Sequence, residues 1–177
     1  MKLKSVALLI VVFTLGIGIG AFARGSKAAV DSSMYKGKSK KEAAAALLEV
    51  AKPQAEKGSW ENIAVGRAYY LGGMKQEGQA IFDKVTSGKA QGSDWLRIGR
   101  TYYEAGEWDK AKMAFDKAMA AEPKDTGIQA EVGAYYNLKG DRAKAEELFD
   151  KSFKAEPGEV WHTANAAGSY IGVVPQQ

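Results

Sequence analysis

Hydrophobic and polar positions along this chain follow a pattern that occurs three times at nearly constant spacing. Each copy has an apolar residue, a glycine, two variable residues and a tyrosine, followed four residues later by a second glycine. Each copy then reaches the same Phe-Asp-Lys triplet. The triplets begin at Phe82, Phe115 and Phe149, which places the copies 33 and then 34 residues apart. A fixed period in this range predicts stacked helical units rather than a single globular core.

The small and aromatic positions indicate how two helices pack within each copy. Gly66, Gly99 and Gly133 lie on the first helix, where the absence of a side chain allows the second helix to approach closely. The tyrosine and the phenylalanine are predicted to fill the space between the helices. The glycine four residues after the tyrosine is expected to end the first helix, because glycine enters a left-handed cap conformation without a Cβ penalty.

The pattern resembles the tetratricopeptide repeat, a pair of antiparallel helices about 34 residues long. The middle copy has the fullest signature, whose matching residues are Trp95, Ile98, Gly99, Tyr102, Gly106, Ala111, Phe115, Ala118 and Pro123. In the first copy Gly78 replaces the first alanine of the second helix, and in the third copy Ser152 replaces the second alanine. The resemblance covers 59–172. It implies an all-α, right-handed α-solenoid of about three helix-turn-helix repeats, with capping helices at the N- and C-termini.

The segment before the repeats is interpreted as a linker and a cap. Residues 24–38 are rich in glycine, serine and lysine and are predicted to be a linker. Ser39 and Glu42 form the pattern of a capping box, which opens an alanine-rich helix. Pro53 is expected to end this helix. We therefore predict an N-terminal capping helix within 39–58.

The repeats and the segment after them complete the predicted organisation. Three tetratricopeptide units are expected within 59–159, with proline closing the second and third units. The 34-residue register then continues, with Ala167 and Tyr170 at the glycine and tyrosine positions. Residues 160–177 are therefore predicted to contain a C-terminal capping helix, which covers the apolar side of the last unit, and a short tail.

Residues 1–23 predict a secretory signal peptide. Lys2 and Lys4 form a basic start, an apolar stretch of 17 residues runs from Val6 to Phe22, and Ala21-Phe22-Ala23 is a cleavage-site pattern. The alternative is an uncleaved membrane anchor. The stretch lies at the short end of the ~17–25 residues that a membrane-spanning helix uses. Both interpretations place the repeats outside the cytoplasm.

Composition excludes several classes of protein. The chain contains no cysteine, so it has neither a disulfide framework nor thiol chemistry. Its 25 basic and 21 acidic residues give a net charge of +4. This balance argues against a dedicated nucleic-acid-binding protein, whose affinity depends on a concentrated basic surface.

Residues suited to catalysis or metal binding are scarce. His162 is the only histidine, and without cysteine it has no partners for a metal set. We predict that it is structural or solvated. The chain contains neither the Gly-x-Ser-x-Gly elbow of hydrolases nor a Gly-x-x-x-x-Gly-Lys-Ser/Thr phosphate loop. We therefore expect a protein that is not an enzyme and that uses no cofactor and no metal.

In the tetratricopeptide family the first helices line a concave groove, and the resemblance implies a groove here. The residues at the family's ligand-facing positions, which form the candidate peptide-binding groove, are Trp60, Arg67, Tyr70, Arg100, Tyr103 and Asn137. Arg67 and Arg100 are one repeat apart and lie beside tyrosines. Such a ladder suits a partner with an acidic or carboxylate-bearing segment, because guanidinium pairs with carboxylate in a bidentate manner. In the alternative interpretation the arginines are solvated and the tyrosines pack between repeats.

Together these features predict an exported scaffold that mediates protein–protein interactions in the cell envelope through its concave groove. The expected partner is a protein or peptide, not a nucleic acid, and the location is periplasmic or secreted. In the main alternative the chain is a membrane-tethered adaptor or assembly factor of an envelope complex, anchored in the inner membrane and facing the periplasm. A third hypothesis is a groove that binds a small ligand or glycan fragment, against which the open shape of three repeats argues.

Overall fold

The structure is a computed structural model that describes residues 29–175, and its regular elements are all helical. A short 3-10 helix at Ser32–Met34 precedes the α-helices. The α-helices are α1 (Lys40–Ala55), α2 (Ser59–Leu71), α3 (Lys75–Thr86), α4 (Gly92–Glu104), α5 (Trp108–Ala121), α6 (Thr126–Leu138), α7 (Arg142–Ala155) and α8 (Val160–Tyr170). Residues 29–175 contain no strand, and the predicted all-α helical solenoid is confirmed.

The α-helices after α1 form two layers. Helices α2, α4, α6 and α8 each contact the next member of this set, and they form the inner layer. Helices α3, α5 and α7 pack on the inner helix of their own pair and on that of the next pair, but they do not pack against one another. Neighbouring repeats therefore meet through their first helices and through the packing of each second helix on the following first helix.

The three glycines on first helices allow the close approach that the sequence predicts. A Cβ atom added at Gly99 would lie 2.5 Å from the ring of Phe115 on α5. The corresponding distances are 2.6 Å from Gly66 to Phe82 and 2.8 Å from Gly133 to the ring of the third-repeat phenylalanine. All three phenylalanines are buried. The two helices of each pair therefore pack through the same contact, between the glycine of the first helix and the phenylalanine ring of the second.

The glycines that follow the tyrosines end the first helices in a left-handed conformation. The φ angles are 90° at Gly73, 75° at Gly106 and 88° at Gly140. In each turn the next residue donates its N–H to the carbonyl of the repeat tyrosine, and Glu107 does so to Tyr102 at 2.9 Å. This pattern is a Schellman motif, which satisfies two carbonyls at the end of the helix.

The N-terminal helix begins as expected but ends later. Ser39 Oγ accepts a hydrogen bond from the N–H of Glu42 at 3.3 Å, and the Glu42 carboxylate accepts from the N–H of Ser39 at 3.0 Å. The expectation that Pro53 ends α1 is wrong, because the helix continues to Ala55. A proline in the last turn costs one hydrogen bond and leaves most of the helix intact.

At the other end α8 packs on α6 and α7 and buries Ala166 and Ser169. The predicted signal peptide or anchor, residues 1–23, lies outside the described residues. Within 29–175 the structure contains no helix that is both long and apolar enough to cross a membrane.

Candidate functional site

The two groove arginines form ion pairs between successive inner helices. Arg67 on α2 donates Nε and Nη2 to the carboxylate of Glu104 on α4, at 3.4 and 2.5 Å. Arg100 on α4 donates the same two atoms to Glu131 on α6, both at 2.5 Å. Both arginines are therefore already paired with a carboxylate of the next inner helix. They clamp one repeat to the next.

The two pairs differ in burial. The side chains of Arg100 and Glu131 are only 11% and 8% exposed, whereas Arg67 is 43% exposed. Burial alone lowers the pKa of Arg100, but the hydrogen bonds and charge of Glu131 outweigh burial and raise that pKa above its ordinary value. Arg100 is thus held as a cation by Glu131, and removing either partner would leave a buried charge without compensation.

Tyr70 does not line a groove in the structure. It is buried, and its ring meets Tyr102 edge-on with centroids 5.4 Å apart. Its hydroxyl donates to Glu107 and accepts from Lys110 Nζ at 2.9 Å. Glu107 also pairs with Lys75. Hydrogen bonds from Lys110 first, then from Lys75 and Tyr70, lower the pKa of Glu107 to about 2. This cluster joins the first repeat to the second.

Tyr103 and Asn137 also make contacts between units. The ring of Tyr103 lies 4.8 Å from that of Tyr135 on α6. Asn137 Nδ2 donates to Ser169 Oγ on α8 at 2.9 Å. These contacts agree with the alternative interpretation, in which the aromatic positions pack between repeats. Whether the groove binds a peptide stays a prediction.

Trp60 is the predicted groove residue with the most exposed surface. Its side chain is 52% exposed at the start of α2. The guanidinium of Arg97 on α4 lies 3.8 Å from the centre of the indole. Burial, followed by the neighbouring charge of Arg100, lowers the pKa of Arg97. The stacked pair places an apolar face with a cationic edge at the first-repeat end of the inner layer.

An open cleft of about 550 Å³ lies at the other end, between α6 and α8. The carboxylates that line it are Asp125, Glu131, Glu156 and Glu159, with Lys124 as the lysine among the lining residues. Trp161 stands at the cleft with 61% of its surface exposed. The cleft has no signal in the repeat pattern of the sequence, because its walls come from two inter-helix loops and two helices of different repeats. Among residues 29–175 no group of three His, Cys, Asp or Glu side chains is placed to hold a metal ion.

His162 lies in the wall of this cleft and is only 5% exposed. The Ser152 hydroxyl donates its single hydrogen to the carbonyl of Thr126 at 3.0 Å, and Ser152 Oγ lies 2.9 Å from His162 Nδ1. Because that hydrogen is already used, Nδ1 must be the donor in its contact with Ser152. When the ring is neutral, its lone pair is therefore on Nε2. Among the described residues Nε2 has no hydrogen-bond partner, and it lies 3.7 Å from where a Cβ of Gly127 would be.

Comparison with known families gives one result for the second helix pair. Residues 95–125 match the family model described as tetratricopeptide repeat. The match begins in α4, includes all of α5 and ends just before α6. A search of curated proteins found no match. Residues 95–125 are thus similar to a tetratricopeptide repeat, and the helix pairs before and after them repeat the same glycine–phenylalanine contact.

Proposed function

We propose that this chain is an exported scaffold that binds a protein or peptide partner in the cell envelope on the concave side of its first helices. Tetratricopeptide repeats typically serve as non-catalytic scaffolds for protein–protein interaction. The observation that carries the proposal is the inner layer itself. Four successive helices line one continuous surface, and side chains bridge each helix to the next.

The bridges hold successive inner helices together before a partner arrives. Arg67–Glu104 joins α2 to α4, Arg100–Glu131 joins α4 to α6, and Asn137 bonds to α8. A surface already held in its binding shape loses little conformational entropy when a partner docks. The inner layer offers the exposed Trp60 at one end and the acidic cleft at the other.

A carboxylate-bearing partner, as predicted from the arginine ladder, must replace an internal carboxylate. The exchange is least costly at Arg67, because this pair is half-exposed and such pairs contribute only about 0–1 kcal/mol. At Arg100 it would leave Glu131 as a buried charge without a partner. We propose Arg67, on the same helix as Trp60, as the position at which an acidic segment can bind.

Affinity capture from an envelope extract tests the proposal. We expect Trp60→Ala to reduce capture of the partner, because this side chain is the largest exposed apolar surface of the first inner helix. Met113→Ala is the matched control, since Met113 is similarly exposed but lies on the outer helix α5. Equal capture by both variants and the unaltered chain would refute binding at the concave face.

The export part of the proposal rests on residues 1–23. Cleavage after Ala23 would give a soluble protein that begins at Arg24, which intact-mass measurement of the protein from the envelope fraction would show. Recovery only with membranes and with Met1 intact would instead support the membrane-tethered adaptor, whose repeats face the same compartment.

A further inference from the structure

We propose that the cleft between α6 and α8 binds a cationic side chain, such as the ammonium group of a lysine, from the partner segment. This inference rests on the proposed function, because the cleft is the third-repeat end of the same inner layer. It predicts that the partner carries a basic residue, in addition to whatever binds near Trp60.

The charges that face the cleft favour a cation. Asp125 caps α6 through the N–H of Ile128 at 2.8 Å, and Glu159 caps α8 through the N–H of Trp161 at 3.1 Å. Each cap uses one carboxylate oxygen, and Glu156 makes no side-chain hydrogen bond among the described residues. Three carboxylates outside the Arg100 ion pair thus face one lysine. The positive ends of α6 and α8 offset part of this charge but not all of it.

His162 supplies the second and independent observation. Its ring is buried in the wall of the cleft, its Nδ1 proton is committed to Ser152, and its Nε2 lies near Gly127, another residue of the cleft, without a hydrogen-bond partner among residues 29–175. In the neutral ring Nε2 is an acceptor, and an acceptor can bond only to a ligand that brings its own hydrogens. An ammonium group brings three donors and a guanidinium five, whereas a carboxylate brings none. The exposed indole of Trp161 adds an aromatic face to which a cation is attracted.

The test uses acetyl-trilysine-amide as the probe and acetyl-triglutamate-amide as the control peptide, added to the full chain. His162 is the only histidine, so its ring nitrogens are identified in a nitrogen-15 spectrum without assignment. We expect trilysine to shift the Nε2 signal and to leave Nδ1 in place. Triglutamate should shift neither. Binding of both peptides with equal strength would overturn the inference.

Charge-neutral variants locate the binding site. Glu156→Gln should weaken trilysine binding about two- to fivefold, as expected for one exposed ion pair. Asp125→Asn, Glu156→Gln and Glu159→Gln together should weaken it more than about tenfold, while keeping side chains that can still cap the helices. Asp150→Asn, on the outer helix α7, removes one negative charge as Glu156→Gln does; it is the control for that single variant and should have no effect. Equal losses in the triple variant and the control would overturn the inference.

A further variant isolates the role of Nε2. His162→Asn keeps an N–H donor near Ser152 but lacks the second ring nitrogen, so we expect it to fold and to bind trilysine less tightly. Unchanged binding by this variant and by the triple variant would show that the peptide binds elsewhere.

Capture of the partner from envelope extract separates the cleft inference from the scaffold proposal. If the triple variant captures the partner as well as the unaltered chain and trilysine does not bind, the cleft inference fails and the scaffold proposal stands. If trilysine binds the cleft but no partner is captured, the scaffold proposal fails.

Discussion

The Arg100–Glu131 pair allows a quantitative test of how the inner layer is held together. Replacing Glu131 by methionine leaves the guanidinium of Arg100 in a site where only 11% of its side chain is exposed. Breaking a buried ion pair by removing one partner costs about 3–5 kcal/mol. Breaking an exposed pair costs about 0–1 kcal/mol. We therefore expect Glu131→Met to lower the free energy of unfolding several times more than Arg67→Met, which breaks the half-exposed pair with Glu104.

Urea unfolding followed by circular dichroism measures both effects, with the comparison made at equal m-values. The double variant Arg100→Met/Glu131→Met is the internal control, because replacing both buried partners by apolar residues of similar size is often neutral or stabilising. We expect the double variant to lie within about 1–2 kcal/mol of the unaltered chain. If Glu131→Met lowers the free energy of unfolding no more than Arg67→Met does, burial does not determine the strength of the Arg100–Glu131 pair.

Three further predictions concern single features of the fold. Gly99→Ala should lower the free energy of unfolding by about 1–3 kcal/mol, because the new Cβ would lie 2.5 Å from Phe115. Gly88→Ala is the control and should have little effect, because its Cβ would meet no atom within 4 Å. The pKa of Glu107 is lowered from 4.5 to about 2, so its carboxylate stabilises the fold above pH 4.5 and this contribution is lost as the pH falls toward 2. Acid titration of Glu107→Gln should accordingly show a shallower loss of stability in this window, and parallel curves would contradict the assignment. A stop codon after Pro157 removes α8 and exposes the face of α6 that it covers, which should lower the melting temperature and cause aggregation; an unchanged melting temperature would show that α8 is not a cap.

The repeat period predicted the elements that every unit shares. The contact between Gly99 and Phe115 and the left-handed Gly106 follow from local rules of helix packing and capping, which act the same way in each copy. The continued register of Ala167 and Tyr170 likewise predicted α8. Features that occur in every repeat can be predicted from a single sequence, because the same residue type stands at the same position in each copy.

The periodic pattern could not predict the contacts that differ between repeats. Arg100 binds a glutamate that lies 31 residues further along the chain, so it is not at the equivalent position of the next repeat. From the sequence, Arg67 and Arg100 therefore seemed available to a ligand, although Glu104 and Glu131 already bind them. The cleft between α6 and α8 was not predicted for a similar reason, although two residues near it differ from the repeat pattern. Ser152 stands where the family has a small alanine, and it binds the only histidine of the chain.

The spaces between the outer helices make the stack mechanically anisotropic. Helices α3, α5 and α7 do not pack against one another, so a change in curvature can alter their spacing while it disturbs few contacts, such as the ion pair between Lys75 on α3 and Glu107 at the start of α5. The inner helices are packed and bridged by charge, and their spacing resists the same change. When the stack bends thermally, the distances between successive inner helices should therefore stay nearly constant. A segment bound along the inner helices from α2 to α8 would keep its register with the repeats while the stack flexes. A ligand that bridges α3 and α5 would instead have the distance between its two contact points change with each bending motion.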